Sequence, residues 1–270
     1  AASDVYKRQA VKRVSPEKFL LGEVWEDATT KFGFNKRRTY LLGKGLDSVM
    51  NYPFKNAVLD FVKGKPAEQA MTEILTICEH YPAPAMDTAL NFLSTHDTER
   101  ALTVIADEPA NGRGRAWQSG RCVTGDAYEE GLLRLRMAYA IIYTLPGVPC
   151  LYYGDEIAMQ GYRDPFNRAF FRWDAHEQRL RPVLAQLAQL RHTCEAFRTG
   201  ELRVLRAQDG ILHYQRVGEA ETAEIIVNRS EHIIVEPLAS GKHTEVNPMG
   251  FTIVVEENGH NPNHSYYDYV

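Results

Sequence analysis

Three side chains that can do chemistry lie within or directly after apolar runs of the sequence. Glu23 lies in the run "FLLGEVW", and His96 and Asp97 directly follow the run "ALNFLST". A carboxyl group in apolar surroundings has a raised pKa and can act as a general acid, whereas a second carboxylate can stabilise developing positive charge. Glycoside hydrolysis requires such carboxyl groups around one sugar ring. The pattern therefore predicts a glycosidase-type site with Glu23 as the acid, Asp97 as the stabilising carboxylate and His96 as a donor to sugar hydroxyls.

Each of these residues also has a structural interpretation. A single Glu at the end of a strand is commonly a cap or an ion-pair partner, and a His-Asp pair after a strand is commonly a structural hydrogen bond. The stretch "YYGDE" can cap the next helix, and "DPFNR" can be a simple turn. Aromatic residues such as Trp25, Tyr52 and Tyr153 can be core residues instead of surfaces for sugar faces. The recurrence of polar residues after several apolar runs favours the functional interpretation.

The elements that would position these residues alternate between strands and helices. Four short apolar runs are typical of parallel strands buried on both faces, at residues 19–25, 46–52, 89–95 and 148–156. Helical patterns fall between and after them, with Pro66 at a first helical position, Asp126 as an N-cap and Pro182 near a helix start. Because ligand sites of parallel α/β folds lie at the carboxyl ends of the strands, the polar residues are expected to share one face.

The alternation of strand-like and helix-like patterns ends near residues 197–201. Five short β-rich runs follow, separated by Gly, Asp and Asn, and they predict a small antiparallel sandwich. We therefore predict an α/β domain over residues 11–197 and a β-sandwich over residues 198–256. Residues 1–10 are expected to be a non-native segment, and residues 257–270 a surface or disordered tail.

Composition narrows the possible functions. The 270 residues carry a formal net charge of −4, which does not favour nucleic acid as a partner. There is no apolar run of 18 residues, and the first ten residues lack the apolar core of a signal peptide. The four cysteines are widely separated without a CxxC pair, so reduced structural thiols are expected and neither a metal site nor a cofactor is predicted.

Three segments together resemble a known family. "FLLGEVW", "NFLSTHDTER" and "LPGVPCLYYGDEIAMQGYRDPFNRAFFRWD" are similar to consecutive motifs of glycoside hydrolase family 13, the α-amylase family. The closest similarity is to its neopullulanase, cyclomaltodextrinase and maltogenic amylase group, and it covers residues 11–255. The resemblance implies the C-terminal half of a TIM (β/α)8 barrel, strands five to eight, followed by a small antiparallel β-sandwich.

The same resemblance assigns expected roles to individual residues. Glu23 matches the general acid/base, Asp97 the transition-state stabilising carboxylate and His96 a sugar-binding histidine. Asp164 and Arg168 match substrate-binding positions after the last strand, and Trp25 is expected to contact the sugar. The implied activity is retaining hydrolysis of α-glucosidic bonds in maltodextrin-, cyclodextrin- or pullulan-type α-glucans. An α-glucan oligosaccharide is the expected partner, and the full-length enzyme is expected to be a cytoplasmic homodimer without contact to membranes or nucleic acid.

The chain departs from the family pattern at its beginning. The family's nucleophilic aspartate stands in a Gly-x-Arg-x-Asp pattern upstream of the general acid, and no such pattern precedes Glu23. We therefore interpret the chain as a C-terminal piece of a longer enzyme that lacks the nucleophile and is inactive alone. The alternative is a non-catalytic carbohydrate-binding or interaction remnant of such a barrel. A half-barrel phosphate binder is disfavoured because no Gly-rich phosphate loop is present.

Overall fold

The computed structural model describes residues 2–33, 35–259 and 264–269. The helices are α1 Ala2–Val14, α2 Tyr52–Lys63, α3 Ala67–His80, α4 Ala83–Asp87, α5 Ala101–Ala106, α6 Arg115–Ser119, α7 Gly125–Thr144, α8 Leu180–Thr193 and α9 Ala196–Thr199, with short 3-10 helices at Asp155–Ile157 and Phe166–Arg168. The strands are β1 Leu21–Gly22, β2 Phe32–Gly33, β3 Lys36–Arg37, β4 Ser48–Val49, β5 Leu90–Asn91, β6 Val148–Pro149, β7 Glu201–Gln208, β8 Ile211–Val217, β9 Glu221–Asn228, β10 Ile234–Pro237, β11 His243–Val246, β12 Gly250–Glu257 and β13 His264–Tyr269.

Four strands run parallel in chain order and form the α/β part. β1 pairs with β4, an isolated bridge joins Met50 to Leu90 at β5, and β5 pairs with β6. Each strand is shorter than its apolar run, and the remaining residues of the run belong to the loop or helix that follows or precedes it. The polar residues consequently lie in loops at the carboxyl ends of neighbouring strands, as the parallel arrangement requires.

The sequence patterns predict no helix at residues 52–63, where the structure has helix α2. Asn51 caps its start, since the side-chain Oδ1 accepts a hydrogen bond from the Phe54 amide at 3.3 Å. Eight of its twelve residues are buried, among them Lys55. The helix begins at Tyr52, the last residue of the predicted strand run 46–52, so the strand interpretation extended over its start.

Two predicted helix starts are shifted by one or two residues. Pro66 precedes α3 as its N-cap instead of occupying the first helical position. Asp126 lies inside the first turn of α7, and the N-cap is Thr124. The prediction for Pro182 is confirmed, because it is the third residue of α8, where its missing N–H has no intrahelical acceptor.

The second part is an antiparallel sheet with strand order β13-β12-β9-β8-β7, and β10 and β11 form a separate two-stranded sheet. Alternate residues of β9 enter different cores: Ile225 and Val227 join the main core, whereas Ile226 packs with Leu238 and Val246 of the hairpin region. The predicted half barrel followed by a small antiparallel sandwich is confirmed. The expectation that the tail lacks regular structure is wrong for residues 264–269, because β13 pairs with β12 over six residue pairs. In the described part of the chain, no helix is both long and apolar enough to cross a membrane.

Arg216 joins the two parts of the fold. It is buried, and its guanidinium donates to the Thr144 carbonyl at the end of α7 at 2.7 Å and to the Gly200 carbonyl after α9 at 2.8 and 3.1 Å. Burial lowers its pKa to about 10, so the side chain is still charged at neutral pH.

We predict that Arg216→Met lowers the free energy of unfolding by about 3 kcal/mol, because two buried carbonyls lose their donors. Urea unfolding followed by circular dichroism measures the change. The control is Arg203→Met in the same sheet, whose guanidinium pairs with the exposed Glu201 and should contribute at most about 0.5 kcal/mol. Equal effects of the two substitutions would contradict this role.

Asp47 connects α1 to the parallel sheet. Burial opposes ionisation, but hydrogen bonds from Arg8, the Leu20 amide and Lys12 outweigh it and hold the pKa of this carboxyl group below its usual value. A lowered carboxyl pKa contributes stability above the unfolded-state pKa of about 3.9, and this stability is lost as the pH falls through the folded-state value.

We predict that Asp47→Asn is destabilised relative to the original chain at pH 7 and that the difference shrinks toward pH 3. Urea midpoints at both pH values measure it. Asp209→Asn, which replaces a mostly exposed carboxylate near Arg206, should show a small difference at both pH values. A constant penalty for Asp47→Asn across this range would show that charge does not cause it.

Candidate active site

Glu23 lies directly after β1 and is exposed. Its Oε1 accepts hydrogen bonds from the Tyr52 hydroxyl at 2.9 Å and from Trp25 Nε1 at 3.0 Å. The expectation that Glu23 lies in apolar surroundings is wrong for this chain. The carboxylate is solvated and receives two donors, because the loop after β1 directs it away from the core.

Two stacked aromatic side chains lie beside the carboxylate of Glu23. The Trp25 and Tyr52 rings stack with centroids 4.5 Å apart, and Tyr52 meets Phe92 edge-on at 4.9 Å. Tyr52 and Phe92 are buried, whereas Trp25 is 47% exposed. Trp25 therefore offers an accessible aromatic surface beside the carboxylate, and Tyr52 is a core residue whose hydroxyl reaches the site.

His96 and Asp97 form a turn at the carboxyl end of β5, which we call the His-Asp turn, residues 95–98. Phe92 and Leu93 before it are buried, while His96 is 53% and Asp97 37% exposed at the side chain. His96 Nε2 lies 3.3 Å from Asp97 Oδ2, and the Asp97 amide donates to Thr95 Oγ1 at 3.1 Å. The pair is thus on the surface and oriented by the buried residues that precede it.

The carboxylates of Glu23 and Asp97 both affect the pKa of the Tyr52 hydroxyl. Burial is the largest cause of its raised pKa, and the charges of Glu23 and Asp97 both raise it further, against a hydrogen bond with Thr95 that lowers it. Both carboxylates therefore act on the same hydroxyl group. The structure brings Glu23 and the His-Asp turn to one face, although 73 residues of chain separate Glu23 from His96.

Arg168 binds the His-Asp turn on its solvent-exposed side. Its Nη2 donates to Asp97 Oδ1 at 3.0 Å, its Nε donates to the His96 carbonyl at 2.9 Å, and the same Nε lies 3.0 Å from Asp164 Oδ1. Asp164 and Arg168 are thus brought to His96 and Asp97, and all four side chains are accessible to solvent. This cluster can supply donors and acceptors to a polyhydroxylated ligand.

Asn167 is a residue whose importance the sequence interpretation missed. It is fully buried, and its Nδ2 donates to the carbonyls of Thr95, His96 and Thr98 at 3.1, 2.8 and 2.8 Å. In the segment "DPFNR", the sequence interpretation assigns Asp164 and Arg168 to substrate binding, with a simple turn as the alternative, and gives Asn167 no role. An Asn between Phe and Arg there gives no sign of burial, and only the presence of three converging carbonyls identifies its role.

Arg100 and Asp155 form a buried layer beneath this face. Arg100 Nη1 lies 3.1 Å from Asp155 Oδ1, and the two side chains are 0% and 2% exposed. The Tyr139 hydroxyl donates to Asp155 Oδ2 at 2.5 Å. Burial raises the pKa of Asp155, although the charge of Arg100 opposes this. Asp155, one of the acids that follow the fourth apolar run, is therefore a structural residue away from the solvent-exposed face.

Among the residues that the structure describes, no cluster of three or more His, Cys, Asp or Glu side chains has an arrangement that could hold a metal ion.

Parallel strands with polar side chains at their carboxyl ends are a feature of (β/α) barrels and of open α/β sheets. Residues 5–199 match the family model described as the alpha amylase catalytic domain. The chain therefore belongs to the alpha-amylase family of glycoside hydrolases, as the motifs predicted.

Similar proteins include members of the predicted group. The chain is 32% identical over 237 residues to a cyclomaltodextrinase of Geobacillus thermopakistaniensis (strain MAS1), covering 86% of this chain and 35% of that protein. It is 29% identical over 227 residues to neopullulanase 2 of Thermoactinomyces vulgaris, covering 82% of this chain and 33% of that protein. The chain thus spans about a third of the length of these relatives.

A solved structure supports the fold independently. The ligand-free cyclic alpha-maltosyl-(1→6)-maltose hydrolase from Arthrobacter globiformis superposes with a TM-score of 0.78 at 24% identity, over 94% of this chain and 52% of that chain. At this level of identity the similarity establishes the fold alone. The half barrel and the sandwich together therefore occur in a known enzyme structure.

The Tyr52–Glu23 hydrogen bond can be tested by a double-mutant cycle with Tyr52→Phe and Glu23→Ala. We expect a coupling free energy of about 1 kcal/mol, because the hydroxyl donates to a charged acceptor that is partly solvated. Urea unfolding of the four proteins measures it. Tyr52→Phe combined with Glu26→Ala is the control and should be additive, since Glu26 pairs with Lys31. If the unfolding free energies of Tyr52→Phe and Glu23→Ala are additive, the hydroxyl of Tyr52 does not orient Glu23.

Proposed function

We propose that this chain carries the acid/base half of an α-glucan hydrolase site, with Glu23 as the general acid/base. The observation that carries the proposal is the position of Tyr52, whose hydroxyl donates to Glu23 and whose ring packs against Phe92 in the segment that leads to the His-Asp turn. Two hydrogen bonds fix one oxygen of Glu23, which leaves Oε2 as the atom available for proton transfer. Proton transfer requires such a positioned carboxyl group within hydrogen-bond reach of the leaving oxygen.

Asp97 is proposed to stabilise the positive charge that develops at the anomeric carbon. Its Oδ1 is paired with Arg168 and its Oδ2 lies beside His96, so the carboxylate is held by two cationic or donor groups while it is still accessible. His96, Asp164 and Arg168 are proposed to bind sugar hydroxyls, because hydroxyl groups need both donors and acceptors. Trp25 is proposed to contact a sugar face with its exposed ring.

The proposed substrate is an α-glucan of the maltodextrin, cyclodextrin or pullulan type. The names of the relatives, cyclomaltodextrinase and neopullulanase, support this choice. We further propose a retaining mechanism, which uses two carboxyl groups about 5–5.5 Å apart. The nucleophile is proposed to lie outside these 270 residues, since no Gly-x-Arg-x-Asp pattern precedes Glu23.

Several expectations stay predictions. The domain division at residues 197–198, the non-native origin of residues 1–10 and a cytoplasmic homodimeric full-length enzyme follow from the sequence and the resemblance alone. A non-catalytic carbohydrate-binding role is the alternative outcome of the experiment that follows.

The test compares the 270-residue chain with a hybrid. In the hybrid, the segment of the Geobacillus cyclomaltodextrinase that precedes its matching region is joined to this chain. We expect no reducing sugar from maltodextrin with the chain alone and measurable release with the hybrid. Glu23→Gln and Asp97→Asn should each lower hybrid activity at least about 100-fold, the scale of general acid catalysis.

Each alternative outcome has a definite meaning. Hydrolysis by the chain alone at rates typical of glycosidases would overturn the proposal that the nucleophile lies elsewhere. A hybrid whose activity is unaffected by Glu23→Gln would overturn the assignment of the acid. Binding of maltoheptaose by the chain, together with a folded but inactive hybrid, would favour the carbohydrate-binding alternative. Glu26→Gln, which replaces an exposed carboxylate paired with Lys31, is the control substitution.

A further inference from the structure

We propose that Asn167 is a positioning residue that sets the orientation of His96 and Asp97. The inference extends the proposed function, on which its consequence for glucan binding depends. Its structural content is independent of that function, because it concerns the conformation of the His-Asp turn. Asn167 is not proposed to contact the substrate.

The first observation is the convergence of three backbone carbonyls on one amide group. Nδ2 of Asn167 lies 3.1, 2.8 and 2.8 Å from the carbonyl oxygens of Thr95, His96 and Thr98. Three acceptors determine which end of the amide faces the turn, since only the nitrogen can donate. With the carbonyls directed inward to Asn167, the side chains of His96 and Asp97 are directed outward, in agreement with their exposure.

The second observation concerns what holds Asn167 itself. The backbone carbonyl of Asn167 accepts a hydrogen bond from Arg100 Nε at 3.1 Å, and Arg100 is fully buried. The next residue, Arg168, binds the His96 carbonyl and the Asp97 carboxylate from the solvent side. The dipeptide 167–168 therefore contacts the His-Asp turn on both sides, with the buried amide inside and the guanidinium outside.

Asparagine is required for chemical reasons. Aspartate at this position has the same shape but would direct a carboxylate oxygen at three carbonyl oxygens, and the turn would have to move away. Serine is small enough to be accommodated and retains one donor, so it should restore part of the arrangement. A purely structural role would predict only a loss of stability, whereas a positioning role predicts a change at the His96 ring.

The chain offers a matched control in the sandwich. Asn228 is also fully buried, and its Nδ2 donates to the carbonyls of His232, Val246 and Asn247 at 2.8, 3.1 and 3.0 Å. Asn228→Asp therefore disrupts the same kind of interaction in a different part of the fold. Comparing it with Asn167→Asp separates the general loss of stability from the specific effect on the His-Asp turn.

The experiment uses the 270-residue chain with isotope-labelled histidine and NMR detection of the His96 ring, assigned with His96→Gln. Thermal unfolding is recorded in parallel. We expect Asn167→Asp and Asn228→Asp to lower the unfolding temperature similarly, by roughly 5 °C. Only Asn167→Asp should move the His96 ring resonances, and Asn167→Ser should give an intermediate shift. If Asn167→Asp does not fold, Asn167→Ser carries the same comparison.

A His96 resonance that is unchanged in Asn167→Asp or Asn167→Ser would overturn the inference. So would an equal change in Asn228→Asp. In the hybrid enzyme, Asn167→Ser should raise KM for maltodextrin or lower kcat by roughly tenfold, without a comparable effect of Asn228→Ser. If the hybrid is folded but inactive, the proposed function fails while the NMR result still decides the role of Asn167.

Discussion

The candidate site depends on the burial of one positive charge, the guanidinium of Arg100. It is fully removed from solvent, and its charge is balanced by Asp155 at 3.1 Å. It also donates to the carbonyls of Tyr153 and Asn167, and the rings of Tyr152 and Tyr153 flank it at 4.6 and 4.8 Å. A buried charge is costly unless it is paired and hydrogen-bonded. Here Nε and Nη1 of Arg100 are bonded, whereas Nη2 has no hydrogen-bond partner among the described residues. The loops after β5 and β6 therefore have to meet at this residue.

This constraint explains why exposed side chains of the site can have defined positions. Arg100 fixes the backbone of Asn167, the amide of Asn167 fixes the carbonyls of the His-Asp turn, and the turn presents His96 and Asp97 to solvent. Glu23 is oriented in a comparable way by the hydroxyl of the buried Tyr52. In both cases a buried polar group determines the direction of an exposed one, as preorganised sites require.

The sequence predicted the accessible residues better than the buried polar ones that orient them. Glu23, His96 and Asp97 were recognisable because parallel strands end in polar residues at one face. Arg100 and Asn167 were not, because an Arg or Asn in a loop is usually exposed and its burial depends on hydrogen-bond partners 53 or more residues away. Helix α2 was missed for a different reason, since its first residue, Tyr52, had been included in the predicted strand run 46–52. Strand β13 was missed because its pairing with β12 is not visible from its own composition.

The contacts that orient the candidate residues are local to this part of the barrel. Those described for Glu23, the His-Asp turn, Asn167 and Arg168 all involve residues between positions 23 and 168. The contacts that orient these side chains therefore lie among the parallel strands, their loops and the start of helix α2. This separates the geometry of Glu23, His96 and Asp97, which is a property of this chain, from the proposed chemistry, which requires two carboxyl groups at a defined separation.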